Sequence, residues 1–346
     1  MAGIEVKKGV SSSETPFFGQ NPALKFEIRH GFIQPLPYLC RLKTKRKFLI
    51  LFSMSGALKE VRNRIKSVQS TQQITKAMKM VSAAKLRRAQ DAITQMRPYA
   101  KKLQEMLGNI ISNSDGSVNI ALAEERKVEK ALIIIVTSDR GLCGGYNSNL
   151  IKLTKQVMLE KYPEQHAKGN VSVLPIGKKG YEHFNKNGFK VVDAYWDIFT
   201  GLSFTKVQTA AKYAMNAFVN KEFDAVELIF SEFKNAATQR FVAETFLPVS
   251  KAVKVAGQKN ADFIFEPGKE VLITELMPKI LNTQLFKAVL DANASEHGAR
   301  MTAMDKASEN ANELLKSLKI SYNRARQAAI TTELTEIVSG AAALQG

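Results

Sequence analysis

The sequence is poor in cysteine and has no long apolar run. Among 346 residues only two are cysteine, Cys40 and Cys143. They do not form a C-x-x-C pair and are too few for a disulfide framework, which favours a reducing compartment. The longest apolar runs, ALIIIV and FLILF, fall well short of the roughly 20 residues that a membrane-spanning helix needs. The sequence therefore predicts a protein that can lie near a membrane but does not cross it.

Acidic residues are also scarce, and the excess positive charge is unevenly placed. The net charge is +18. Residues 54–110 carry 12 basic and 3 acidic side chains, and residues 1–53 carry 9 basic and 3 acidic side chains. The positive charge is therefore concentrated in residues 1–110. It predicts an acidic partner, which can be a nucleic acid, a membrane surface or an acidic face of another protein.

Residues 1–53 lack any sustained helical or strand periodicity. They contain four prolines and a late basic run, RLKTKRK, before FLILF. A secretory signal fits poorly because these parts come too late, and a transit peptide fits poorly because Glu5, Glu14 and Glu27 are acidic. We interpret residues 1–53 as a disordered extension or as non-native upstream sequence before a true start at Met54.

Residues 54–112 are predicted to form one long helix. No glycine lies between Gly56 and Gly108, and apolar residues recur at steps of three and four, as in a coiled-coil seam. Pro98 is expected to kink or locally break this helix. Some 50 helical residues make a rod of roughly 75–80 Å, which needs a partner along its length.

Residues 269–346 repeat this pattern at the other end of the chain. The apolar seam here is rich in alanine and steps by four and three: Ala311, Leu315, Leu318, Tyr322, Ala325 and Ala329. The segment is nearly neutral, whereas the first helix is strongly positive. Because each helix must bury an apolar stripe, the two are predicted to pair with each other as a long antiparallel coiled coil.

Residues 113–268 have a different rhythm, in which short β-branched runs alternate with helical patterns. This order predicts an α/β domain of Rossmann type, with a parallel sheet and helical crossovers, inserted into the helical hairpin. The predicted strands are 131–138, 171–177, 225–233, 240–249 and 261–267, and the predicted helices are 147–162, 178–187 and 204–223.

A glycine-rich loop, SDRGLCGGYN, follows the first predicted strand. It fails the Walker A pattern because no lysine follows the glycines, and it fails the dinucleotide pattern because Gly141, Gly144 and Gly145 are wrongly spaced. We therefore interpret the loop as a turn from strand to helix, with Asp139 and Arg140 pairing locally. Cys143 has no histidine nearby in the sequence, which favours a buried thiol over a nucleophile.

Three motifs carry a family resemblance. MSGALKEVRNRIKSVQSTQQITKAMKMVSAAKLRRAQ at 54–90 and SEHGARMTAMDKASENANELLKSLKISYNRARQAAITTELTEIVSGAAAL at 295–344 closely resemble the two ends of the gamma subunit of the F-type ATP synthase, bacterial type. The glycine loop is similar to a hallmark of the same family. The resemblance covers residues 54–346 and leaves out residues 1–53.

The resemblance implies the function of a rotor. The paired helices would turn inside a ring of three alpha and three beta subunits, and the α/β domain would sit with the epsilon subunit on the membrane c-ring. Rotation would couple flow of H⁺ or Na⁺ to ATP synthesis or hydrolysis on the ring and regulate ATPase activity. This chain would then hold no catalytic, cofactor or metal site. It would lie at the cytoplasmic face of the inner membrane as a peripheral subunit.

The resemblance also implies which residues act. The beta-subunit contacts implied are Lys76, Met78, Lys79, Arg300, Gln327, Thr331, Thr335 and Glu336, and the implied foot on the rotor ring is Phe263, Phe265 and Glu266. The alternatives are a plain seam residue for Met78, a solvated charge for Arg300 and an ordinary edge strand for the foot. Seven further basic residues of the first helix can form a solvated face or guide the helix into the ring: Lys59, Lys66, Lys85, Arg62, Arg64, Arg87 and Arg88.

Two other classes of function compete with this interpretation. A nucleic-acid-binding protein would use the basic helix on phosphates, but it leaves the partner helix unexplained, and Tyr99 is the only aromatic residue in 54–110. An enzyme would bind a small phosphorylated ligand at Gly141–Gly145, where both nucleotide patterns fail.

Overall fold

The computed structural model describes residues 39–112, 121–236, 238–249 and 269–345, and the chain divides into two compact units, Met1–Met54 and Ser55–Gly346. Its elements in chain order are α1 (Leu39–Ser112), β1 (Ala131–Val136), α2 (Tyr146–Lys161), α3 (Pro163–Ala167), β2 (Val171–Ile176), α4 (Lys178–Lys186), β3 (Lys190–Val191), α5 (Phe204–Val219), β4 (Ala225–Phe233), β5 (Gln239–Leu247) and α6 (Lys269–Gln345). The described helices include none long and apolar enough to cross a membrane. α1 begins at Leu39, and the interpretation of residues 1–53 as a disordered or non-native extension stays a prediction.

The five strands form one sheet in the order β3-β2-β1-β4-β5. Four of the strands predicted from the sequence are confirmed, whereas the fifth, at 261–267, lies outside the described residues. The expectation of a parallel sheet is wrong for β5, which pairs antiparallel with β4. The reason is the connection: only a short loop joins Phe233 to Gln239, and a parallel crossover needs a dozen or more residues.

Helices cover both faces of the sheet. β1 is buried along its whole length, as its run of β-branched residues predicts. One face packs on α5 and on α6, through residues such as Leu285 and Val289. The other face packs on α2 and α4, through residues such as Leu150 and Phe184. α6 is therefore a layer of the α/β domain over part of its length.

α1 and α6 also contact each other between Arg62 and Ile93 of α1, and they run antiparallel. Arg62 donates a hydrogen bond to the Tyr322 hydroxyl, while Lys79, further along α1, pairs with Asp305, nearer the start of α6. This confirms the predicted pairing. Of the two effects predicted for Pro98, the break is wrong because α1 continues through it, whereas the kink stays a prediction. A proline removes one backbone hydrogen bond of the helix, and the buried side chains of Ile93 and Leu103 hold the chain on either side.

A joint connects the two helices to the sheet. Leu86, Ala89 and Ile93 of α1 pack there against residues of β4 and α6, among them Phe233 and Leu290. Directly beside this joint the chain buries a carboxyl group.

Asp291 of α6 is only 3% exposed, and its Oδ1 has no hydrogen-bond partner among the described residues. Burial raises the pKa of Asp291 to about 6; Lys287 and Arg97 oppose the rise, and Glu232 and Glu244 add to it. Because burial disfavours the charged form, this carboxyl stabilises the fold more when it is protonated.

Changing Asp291 to asparagine is expected to raise the free energy of unfolding at pH 8. The native pKa lies above the unfolded value of 3.8, so the contribution of Asp291 is fully present below pH 4 and is lost as the pH rises through 6. A shift of this size corresponds to on the order of 2–3 kcal/mol. Chemical denaturation of both proteins from pH 4 to 8 measures the difference, which should shrink toward pH 4. The exposed Glu309, changed to glutamine, is the control, and a pH-independent difference for Asp291→Asn would contradict the account.

Candidate functional site

Lys76, Met78 and Lys79 lie in the middle of α1. Lys76 is exposed, whereas Met78 and Lys79 are half-buried. The Lys79 ammonium is 2.5 Å from Asp305 Oδ1 across the helix pair. Lys79 is thus already paired within the chain, and Lys76 is the more open cation of this segment.

An open groove of about 470 Å³ lies between the two helices at this level. Lys76, Lys79 and the exposed Met80 line it from α1, and Asp305 and Glu309 are among the residues that line it from α6. The groove combines a basic wall, which also carries the apolar Met80 and Ala83, with an acidic one. It can therefore receive a side chain or a loop of mixed polarity from another protein.

Arg300 is 8% exposed and lies on the inner face of α6. Its guanidinium forms an ion pair with Glu296, one helical turn earlier, and donates hydrogen bonds to the backbone carbonyls of Arg140 (2.9 Å) and Gly141 (3.3 Å). The alternative of a solvated charge is therefore wrong for Arg300. Its contacts in this structure join α6 to the glycine loop, and a contact with a beta subunit stays a prediction.

The charges around Arg300 are tuned by burial. Burial raises the pKa of Glu296, and the attraction of Arg300 offsets only part of that rise. Burial, together with the positive charges of Arg300 and Lys85, lowers the pKa of His297 to about 4. His297 is therefore neutral at physiological pH, and the ion pair between Arg300 and Glu296 carries the charge of this cluster.

The glycine loop is held by its own side chains as well as by Arg300. The Asn147 side chain accepts a hydrogen bond from the Ser138 backbone N–H at 3.0 Å and contacts the buried thiol of Cys143 at 3.3 Å. Gly144 has a positive φ of 61°, and a Cβ there would lie 3.7 Å from that of Ala303 on α6. The expectation of a buried thiol is confirmed. Asp139 accepts a hydrogen bond from the Lys178 backbone N–H, which ties the loop to the start of α4.

The remaining predicted contacts lie near the end of α6. Gln327, Thr331, Thr335 and Glu336 are all exposed. The hydroxyls of Thr331 and Thr335 donate to backbone carbonyls one turn earlier, so their side chains follow the helix surface. Along a continuous helix they are about 40 to 55 Å from Arg300. The structure therefore separates the predicted contacts into a middle group, a buried arginine and a distal group.

Three predicted site residues lie outside the described part of the chain, and two residues of the site were not predicted. Phe263, Phe265 and Glu266 lie outside the described residues. Glu296 and Asp305, which pair with Arg300 and Lys79, were missed in the sequence. The spacing of four residues between Glu296 and Arg300 could have indicated that pair. Asp305 had no such signal, because its partner lies on the other helix. Within the described ranges, no cluster of histidine, cysteine and acidic side chains could hold a metal ion.

Changing Arg300 to methionine is expected to destabilise the protein by about 3–5 kcal/mol, because it leaves the buried Glu296 carboxylate without its partner. Chemical denaturation at pH 8 measures the loss. Adding Glu296→Gln should recover part of it, since the unpaired charge is then removed. The exposed Arg324 further along the helix, changed to methionine, is the matched control, and equal stabilities of the Arg300 and Arg324 variants would contradict a stabilising role of the buried ion pair.

Comparisons with known proteins agree on one family. The family model described as ATP synthase matches residues 57–344. The ATP synthase gamma chain of Cytophaga hutchinsonii is 52% identical over 291 residues, covering 83% of this chain and 99% of the relative. That of Chlorobium phaeobacteroides is 49% identical over 294 residues, covering 84% and 99%. A solved chain of the Euglena gracilis mitochondrial ATP synthase (OSCP/F1/c-ring) shares the fold, with a TM-score of 0.59 and 20% identity over 84% of this chain and 95% of that one. The chain therefore belongs to the family of ATP synthase gamma chains.

Proposed function

We propose that this chain is the central-stalk subunit of a bacterial ATP synthase and couples ion flow to ATP synthesis or hydrolysis by rotating. The observation that carries this proposal is the continuity of α6, which is a layer of the α/β domain at Leu285 and Val289 and pairs with α1 at Asp305 and Tyr322. A torque applied to the domain would therefore pass into the paired helices without crossing a flexible linker.

The partners follow from the family. The paired helices would occupy the centre of three alpha and three beta subunits, and the α/β domain would contact the epsilon subunit and the membrane c-ring. A rod without threefold symmetry cannot contact three beta subunits alike, so each orientation favours a different conformation at each beta site. Coupling is then a difference in contact free energy between those conformations.

The chemistry would take place on the partners. The glycine loop is occupied by internal contacts with Arg300 and Asn147, which supports an architectural role. We accordingly place the nucleotide sites on the ring and the chain at the cytoplasmic face of the inner membrane as a peripheral subunit. The coupling ion would be H⁺ or Na⁺.

The contact residues stay as predicted, with two distinct surfaces. Lys76, which lines the groove, and Met78, which does not, would meet the acidic loop of a beta subunit, and the basic face of α1 would guide this encounter. The distal group, from Gln327 to Glu336, would contact the ring at a second position, nearer the end of α6. Phe263, Phe265 and Glu266 would contact the rotor ring.

Purification of the tagged chain from detergent-solubilised host membranes, followed by mass spectrometry, tests the proposal. Alpha and beta subunits in excess over this chain are expected. Recovery of the chain alone, or with nucleic acid, would contradict the proposal, and the second result would favour the nucleic-acid-binding alternative.

Changing Met78 to lysine is expected to impair coupling more than assembly. Met78 is half-buried on a helix that already carries many cations, so the fold should persist. A new cation among acidic beta contacts would alter the contact free energy by about 1 kcal/mol or more. ATP-driven ion pumping per ATP hydrolysed, measured in reconstituted vesicles, should fall. Met106→Lys, at an exposed methionine further along α1, is the control; equal pumping by wild type and Met78→Lys would remove Met78 from the contact.

A further inference from the structure

The seam between α1 and α6, the two shaft helices, is polar in its middle. On α1 the residues facing α6 recur at steps of four and three, in the order Val68, Gln72, Thr75, Lys79, Ser82 and Leu86. The two ends of this row are apolar, and the four residues between them are polar. An interruption of this kind costs stability in a coiled coil, and its best-attested benefit is a defined register.

Thr75 and Ser308 form the buried centre of this polar stretch. They are 8% and 6% exposed, and their hydroxyl oxygens lie 2.7 Å apart across the two helices. Thr75 Oγ1 also lies 3.0 Å from the carbonyl of Gln72, and Ser308 Oγ lies 2.8 Å from that of Met304.

Each hydroxyl has one hydrogen to donate, so two of these three contacts are hydrogen bonds at any moment. If Thr75 donates to Ser308, Ser308 donates to Met304. If Ser308 donates to Thr75, Thr75 donates to Gln72. Both arrangements satisfy both hydrogens and contain the bond between the helices. In a third arrangement each hydroxyl would donate to its own helix, but the 2.7 Å between the two oxygens is the distance of an O–H···O hydrogen bond and favours the first two.

A displacement of one helix along the other would break this arrangement. The seam neighbours of Ser308 on α6 are Met304 and Ala311, both buried and apolar. After a slide of one turn the Thr75 hydroxyl would face one of them and lose its interhelical partner. Apolar contacts oppose such a slide much less, because burial of apolar surface has no directional preference.

The other polar contacts between the helices agree with this register but are exposed. In the pair of Lys79 and Asp305 the side chains are 42% and 45% exposed, and Arg62 meets Tyr322 at the surface. Exposed pairs of this kind contribute little, since water and salt screen them. Beyond these contacts the two helices bury less apolar surface, because Val61 and Ile65 are only half-buried.

We propose that Thr75 and Ser308 are positioning residues whose buried hydroxyl pair sets the axial register of the two shaft helices. The register determines the height at which Met78 and the groove lie on the shaft. The functional consequence rests on the proposed rotor function, because a displaced contact surface would meet the ring at the wrong level. The register itself is a property of this chain.

Two spin labels on the full-length chain test the register. They are attached to cysteines introduced at the exposed Arg88 of α1 and Lys319 of α6, with Cys40 changed to serine and the buried Cys143 left in place. These sites are far apart along the shaft axis, so a slide of one turn changes their separation by about 5 Å. Pulsed electron paramagnetic resonance should give one narrow distance for wild type. The variant Thr75→Val with Ser308→Ala should add a population displaced by about this amount, with unchanged helix content by circular dichroism.

Matched variants separate positioning from packing. Exchanging the two residues, Thr75→Ser with Ser308→Thr, keeps both hydroxyls and should restore the single distance. Thr71→Val removes an exposed hydroxyl one turn away and should change nothing. If the apolar double variant does not fold, Ser308→Ala alone, which removes only the hydroxyl oxygen, carries the same measurement. A single unchanged distance in the apolar variant would overturn the proposal.

Ion pumping per ATP in the reconstituted complex gives the functional outcome. It should fall in the apolar variant and recover in the exchanged variant, while wild type and Thr71→Val remain equal. Equal pumping by all four, alongside a displaced distance, would overturn the link between register and coupling. If the wild-type chain itself fails to assemble with alpha and beta subunits, the proposed function fails, while the label distance still decides the register.

Discussion

The packing of α6 against the sheet is the constraint on which the rest of the structure depends. Between Leu281 and Ala292 this helix buries apolar residues on one face of the sheet, and a few residues later Arg300 holds the glycine loop. The same helix then leaves the domain and pairs with α1. Because a helix is stiff over this length, its orientation on the sheet also determines the direction of the paired helices.

Directional contacts hold this arrangement where apolar burial alone would allow adjustment. The hydroxyl of Tyr146 donates to the carbonyl of Ala292 at 3.0 Å, and that of Ser295 donates to the carbonyl of Ser231 at 3.1 Å. Gly298 lies so close to the loop after β4 that a Cβ there would be 3.0 Å from the Ala236 carbonyl. Backbone contacts of this kind fix both the position and the rotation of α6, since hydrogen bonds weaken steeply away from their preferred geometry.

Charge is divided between the surface and the interior according to its function. Most cations of α1, such as Arg64 and Arg87, are exposed and contribute a long-range field suited to an acidic partner. The few buried charges are paired or shifted in pKa, as in Arg300 with Glu296 and in Asp291. The exposed cations therefore act on the approach of partners, whereas the few buried polar groups determine the internal geometry.

Local patterns were sufficient to predict much of the fold but only part of the site. The buried run of β1 and the long glycine-free helices follow directly from periodicity. The antiparallel direction of β5 depended on a short loop, and the continuity of α1 through Pro98 depended on burial on either side. The glycine-loop partner of Arg300 and the partner of Lys79 had no local signal, because Arg140 lies 160 residues before Arg300 and Asp305 lies 226 residues after Lys79.

The sequence by itself determined that two long helices must pair and enclose an α/β domain, because each apolar stripe needs burial and the stripes have matching periods. It also determined the family, through motifs at 54–90, 138–147 and 295–344. Only the tertiary structure decided which face of α6 covers the sheet, that Arg300 is buried against the glycine loop, and that Thr75 contacts Ser308. These are contacts between residues far apart in the chain, and their energies depend on distance and burial, which a one-dimensional pattern does not contain.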